Sequence, residues 1–142
     1  MCFMVEDVGA QDGRILRVLV VDDNKDAANT LAMRVEAWGY EVRVAYDGVE
    51  GLEAAIDYQP DCLLLDINMP RMDGYTLANL AHHEVGLEGA TLVAITGDLD
   101  LVRAKEAGFD YTFINPADLF VLEELLTMLD QVKKSEQELL EV

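Results

Sequence analysis

The run Leu63-Leu64-Leu65-Asp66-Ile67-Asn68-Met69-Pro70-Arg71-Met72-Asp73-Gly74 decides how the rest of the chain is read. Three leucines lead straight into one aspartate. An uninterrupted apolar run of this kind predicts a strand buried on both faces of a parallel sheet. Met-Pro-Arg-Met-Asp-Gly is turn chemistry, and Asp73-Gly74 predicts the entry to a helix, with Asp73 as its cap rather than a ligand. In open α/β sheets ligands bind beyond the carboxyl ends of the strands, so Asp66 stands where such a fold puts chemistry.

Val18-Leu19-Val20-Val21 runs into Asp22-Asp23-Asn24 in the same way. If the two strands are parallel neighbours, Asp22, Asp23 and Asp66 converge on one rim of the sheet. Three carboxylates so close repel, and at neutral pH they need a cation or raised pKa values. An oxygen-only ligand set suits Mg²⁺. Asp22-Asp23 alone would read equally well as acid favouring a helix N-terminus. Asp66 in the same frame tips the balance to a site.

Residues 1–13 read as a leader. Strands are predicted over Leu16–Val21, Tyr40–Ala45, Cys62–Leu65, Thr91–Ile95 and Tyr111–Ile114. Helices are predicted over Asn24–Trp38, Asp47–Tyr58, Gly74–His83 and Leu99–Ala107, with a last one from Ala117 to at least Lys134. The first helix turns Leu31, Val35 and Trp38 to one face. The second turns Leu52, Ala55 and Ile56 inward and ends before Pro60. Strict βα alternation implies a parallel sheet with helices on both faces. In the last helix Leu122, Leu125, Leu129, Val132 and Leu139 fall near a 3-4 spacing. The start of that series is the face that packs on the sheet. The domain is taken as 14–132, and 133–142 reads as a helical extension, either solvated or a short dimer or linker helix.

The 142 residues carry a formal charge of −18, which argues against nucleic acid and anionic membrane as direct partners. Two cysteines, Cys2 and Cys62, give no disulfide framework or zinc site, and a reduced, cytoplasmic setting fits them. There is no basic signal-peptide n-region and no run of the roughly 18–20 apolar residues that a membrane span needs. Adjacent His82 and His83 read as solvated near a helix C-terminus.

Val-Val-Asp-Asp-Asn, then Leu-Leu-Asp-Ile-Asn-Met-Pro-Arg-Met-Asp-Gly, then Ala-Ile-Thr-Gly, in this order and spacing, resemble a response-regulator receiver domain of two-component signalling over about residues 15–132. The resemblance implies a flavodoxin-like (βα)5 three-layer sandwich with strand order 2-1-3-4-5. It implies that Asp66 is the phosphoacceptor, that Asp23 ligates Mg²⁺ directly and Asp22 through water, and that Asn68 offers its backbone carbonyl to the metal. Thr96 would donate its hydroxyl to a phosphoryl oxygen. The donor would be a histidine kinase or phosphotransfer protein, and the output partner an unidentified protein. Asn68 and Asp98 occupy the two positions that tune dephosphorylation in the family. Such a domain is a switch and not a turnover enzyme.

Three departures fall in the signal-output half. The family's lysine after the fifth strand is Asn115 here, followed by Pro116. A hydrogen bond to a charged group is worth about 1.5–3 kcal/mol net and a neutral one about 0.5–1.5. The exchange therefore removes about 1–2 kcal/mol of phosphate-dependent coupling, against about 5.5 needed for a full switch. The family's aromatic position falls on Thr112, with Tyr111 and Phe113 pointing to the opposite face. The interval from Thr96 to Gly108 is shorter than usual by close to one helical turn. Asn115 and Thr112 favour the main alternative, a pseudo-receiver that binds a partner without phosphorylation. The intact aspartates disfavour it. A haloacid-dehalogenase-type phosphatase would need a second aspartate where Asn68 stands.

Overall fold

The computed structural model describes residues 15–84, 86–97 and 100–140. The leader, Cys2 and Asp98 lie outside them. Five strands, β1 (Arg17–Val21), β2 (Glu41–Ala45), β3 (Cys62–Asp66), β4 (Thr91–Thr96) and β5 (Tyr111–Ile114), form one parallel sheet in the order 2-1-3-4-5. Between and after them run α1 (Lys25–Ala37), α2 (Gly48–Tyr58), α3 (Gly74–His82), α4 (Leu101–Ala107) and α5 (Leu119–Leu140). The architecture is the flavodoxin-like one that the alternation and the resemblance imply.

Both faces of the central strands are covered, which is why they read as continuous apolar runs. Val18, Val20, Leu64 and Val93 pack under α1 and α5, against Ala28, Val35, Leu122 and Leu126. Leu19, Val21, Leu63, Leu65 and Ala94 pack on the other side with Leu77, Ala78 and Ala104 of α3 and α4. Asx side chains start α1 to α4: Asn24, Asp47, Asp73 and Asp100 each accept a backbone N–H three residues on. In α5 Asp118 takes the amides of Phe120 and Val121, so that helix begins at Leu119 rather than Ala117. α4 begins at Leu101 rather than Leu99 because Asp100 caps it.

The inward face of α2 departs from the expected one at a single position. Ala55 is buried and Leu52 packs against the core as expected, but Ile56 is 46% exposed, and Gly48, Gly51 and Tyr58 complete the buried edge. A Cβ on Gly51 would lie 3.0 Å from Val21 and 3.2 Å from Leu77. The helix sits on a glycine notch and is rotated by it. Trp38 and Leu31 half-cover the α1 side as expected. Among the described residues no helix is long and apolar enough to cross a membrane.

α5 is one unbroken helix of 22 residues. Leu122, Leu125 and Leu126 are buried, whereas Val132 is 50% and Leu139 75% exposed. Between those two exposed positions, the Lys133 ammonium donates to the Ile15 carbonyl (2.9 Å) and to Asp61 Oδ2 (2.7 Å). Asp61 Oδ2 also accepts the Arg17 amide at 2.8 Å, so Lys133 ties α5 to the starts of β1 and β3. Lys133→Ala is expected to lower the unfolding free energy by about 1–2 kcal/mol, because Asp61 keeps partial access to water. Urea denaturation reads this. Lys134→Ala, which among the described residues breaks an i,i+4 pair with Asp130 inside α5, half-exposed at the lysine, is expected to stay within about 0.5 kcal/mol of wild type.

Candidate functional site

Parallel pairing of β1 with β3 brings Val21 opposite Leu65, so the residues that follow meet at the carboxyl rim. Asp22, Asp23 and Asp66 each offer one carboxylate oxygen, all within 4.8 Å of one another. Neither Asp22 nor Asp23 is used as the α1 cap. Asn24 Oδ1 performs that task, accepting from Ala27 N at 3.1 Å. Asp22 Oδ1 accepts the Asn24 amide (2.9 Å), and Asp66 Oδ1 accepts the Asn68 amide (3.3 Å). Asp22 and Asp66 thus each have one oxygen steadied by their own loop.

Burial, and next the charge of Asp22, push the Asp66 carboxyl up to about 7, against the pull of the Asn68 amide. Burial also raises Asp22, with Asp23 adding to it and the Asn24 amide opposing. The cluster therefore resists full ionisation at neutral pH. Its donors are hard oxygens only, which fits Mg²⁺ or a similar cation and does not fit a soft metal.

Thr96 ends β4 one residue beyond Ile95, the partner of Asp66, and is 1% exposed. Asn115 follows β5, and its amide donates to the Thr96 carbonyl at 2.8 Å. Its peptide bond to Pro116 is cis. Asp22, Asn24, Leu31, Ile95, Asn115 and Pro116 line one groove of about 450 Å³ beside the cluster. Thr112 pairs with Ala94 on the α3/α4 face, while Phe113 packs toward α1 and α5. α4 has only seven residues, in keeping with the short interval in the sequence. His82 and His83 are both exposed, with His83 Nδ1 against the Asn79 carbonyl. Burial pushes the Cys62 thiol far up, away from reactive chemistry.

A family model for the response regulator receiver domain matches residues 18–129. The chain belongs to the response-regulator receiver family. This receiver is 39% identical over 111 residues to the transcriptional regulatory protein PrrA of Mycobacterium tuberculosis, covering 78% of this chain and 46% of that protein. It is 33% identical over 134 residues to the sensor histidine kinase RcsC of Escherichia coli, covering 91% of this chain and 14% of that one. The chain thus spans less than half of these curated relatives. A solved CheY-like receiver from Methanospirillum hungatei superposes with a TM-score of 0.76 at 29% identity, over 86% of this chain and 98% of that one. Receiver domains are signalling modules rather than turnover enzymes.

Features of the receiver's site that the sequence did not announce are steric. A Cβ on Gly74 would lie 2.4 Å from the Asp66 carbonyl oxygen and 2.8 Å from Ile67 Cα. Only a glycine lets α3 start so close behind Asp66. On the other flank, a Cβ on Gly48 would lie 2.5 Å from the Met72 carbonyl. Arg71, at φ 67°, reaches Asp47 with Nη2–Oδ2 of 2.6 Å. Asp-Gly is visible in the sequence as a helix entry, but its contact with Asp66 leaves no local signature.

Two outcomes are expected. A divalent cation must displace the proton held between Asp66 and Asp22, so Mg²⁺ titration followed by calorimetry in two buffers should release about one proton at pH 6 and almost none at pH 8.5. Below pH 7 affinity should fall about tenfold per unit of pH. Gly74→Ala should cost about 1–3 kcal/mol by forcing backbone apart, seen as a lower urea midpoint.

Proposed function

We propose that Asp66 accepts a phosphoryl group from a histidine kinase or phosphotransfer protein and that the modified receiver signals by protein contact. The convergence of Asp22, Asp23 and Asp66 beside the buried end of β4 carries this reading. A carboxylate oxygen of Asp66 attacks the phosphorus of a phosphohistidine, the P–N bond breaks, and an acyl phosphate forms. The imidazole leaves and takes up a proton. Asp22, Asp23 and the Asn68 backbone carbonyl, with Asp66, would hold Mg²⁺. When bound, such a cation offsets charge on the transferring group and aligns it for in-line displacement.

Thr96 then donates its hydroxyl to a phosphoryl oxygen. Asn115 contributes at most a neutral amide donor, so the response is weaker than one built on an ion pair. The groove that Asn115 shares with Leu31 and Asp22 offers the donor an apolar wall beside the acceptor. Asn68 and Asp98 are assigned to orienting water for loss of the group. The reading places the receiver in the cytoplasm. The chain from Lys133 onward is assigned to a helical extension of the domain.

Intact-mass spectrometry after incubation with Mg²⁺ and acetyl phosphate tests this proposal. One phosphoryl adduct on wild type and none on Asp66→Asn is the expected result. Absence of an adduct together with absence of beryllofluoride binding would overturn it, in favour of a module that binds its partner without phosphorylation.

A further inference from the structure

We infer that Tyr75 and Arg103 form a latch that holds the first turn of α4 while Asp66 is empty and yields when it is occupied, an inference that rests on Asp66 being the acceptor. Tyr75 is the second residue of α3 and is 7% exposed. Its ring meets Phe109 edge-on, with centroids 6.4 Å apart at 77°. Its hydroxyl accepts the Asp100 amide at 3.4 Å. The Arg103 guanidinium lies over the same ring, 4.3 Å from the centroid, and its Nη2 is 3.5 Å from Asp73 Oδ2. One cation thus bridges an aromatic face and a carboxylate, both in the first turn of α3 or just before it.

The two anchors lead back to the acceptor by short paths. Asp73 precedes Gly74, whose amide donates to the Ile67 carbonyl at 2.8 Å and which leaves no room for a Cβ beside the Asp66 carbonyl. Asp100 caps α4 and lies four residues beyond Thr96 in the chain. The first turn of α4 is therefore attached to the acceptor twice, through the end of β4 and across α3. A hydroxyl drawn toward a phosphoryl group on Asp66 moves one attachment and leaves the other in place. The latch is what yields, because its polar contacts are long and Arg103 is largely exposed.

α4 is suited to respond. Within it only Ala104 and Ala107 are buried, whereas Leu101 is 64% and Val102 69% exposed. An element with so few buried apolar contacts opens at little cost. β5 turns Thr112 to this face, so the ring packed against the first turn of α4 comes from α3.

Hydrogen exchange of the full chain with Mg²⁺, with and without beryllofluoride, tests the latch, and fluorine NMR of the bound fluoride reports occupancy. Occupied wild type should exchange the amides of α4 about tenfold faster than the empty form. Tyr75→Phe keeps the ring and removes the hydroxyl. It should exchange α4 about three- to tenfold faster already when empty, the worth of one hydrogen bond, and respond less than about threefold to occupancy. Arg103→Gln, an exposed change that leaves the fold in place, should behave alike, with the urea midpoint of both variants near wild type. If fluoride binds but α4 is unmoved in wild type, or responds equally in the variants, the latch is overturned and the acceptor stands. If no bound fluoride appears in wild type, the acceptor reading fails and the latch with it.

Discussion

Three carboxylates are held together at the end of a sheet that gives them no way to separate. Two unit charges 4 Å apart repel by about 4 kcal/mol at an effective dielectric constant of 20. Asp22 and Asp66 escape that cost in part by keeping a proton: burial lifts both, with the charge of Asp22 adding to it at Asp66 and that of Asp23 at Asp22. Their positions follow from β1 and β3 being parallel neighbours in fixed register, with large buried side chains on both faces. Moving either aspartate would mean slipping a strand and exposing Leu19, Leu63 or Leu65. The hydrophobic core therefore sustains an electrostatic arrangement that would otherwise relax.

The loop behind Asp66 is held from several sides. Gly74 admits α3 against the Asp66 carbonyl, Gly48 admits α2 against Met72, and Asp47 holds Arg71. Arg71 at positive φ costs about 1–2 kcal/mol, and its ion pair with Asp47, together with the packing of its neighbour Met72, keeps it there. Asp73 caps α3 through one oxygen and meets Arg103 through the other. A site held in this way loses little entropy when it binds a cation, since its ligands are already placed.

The strands and the aspartate cluster were legible because their signals are local. A strand buried on both faces must be apolar throughout, so its first acid marks its end. Helix starts were legible to within two residues because Asn and Asp side chains cap them. What stayed hidden are contacts between distant parts of the chain. Lys133 meets Ile15 across 118 positions and Asp61 across 72, and nothing near Lys133 distinguishes it from Lys134, which pairs with Asp130 of its own helix. Ile56 has the right period to face inward, yet the missing side chain at Gly51 turns α2 so that the glycine edge packs instead. Tyr75 follows an Asp-Gly helix entry and gives no sign there that its hydroxyl meets Asp100, 25 positions on.

The proposed acceptor end is rigid and the opposite end of the same loop system is loose, and the two properties suit each other. A phosphoryl group adds a charge of about −2 to a chain already at −18. Asn115 supplies no charge to meet it, and cations on the surrounding elements are engaged: Lys25 over Tyr46, Arg71 by Asp47, Arg103 by Asp73. The free energy available to drive a change is then that of neutral hydrogen bonds, about 0.5–1.5 kcal/mol each. A well-buried helix would not move for that amount. A seven-residue helix with two buried alanines, held at its first turn by contacts of the same small size, is an element that such a force can shift.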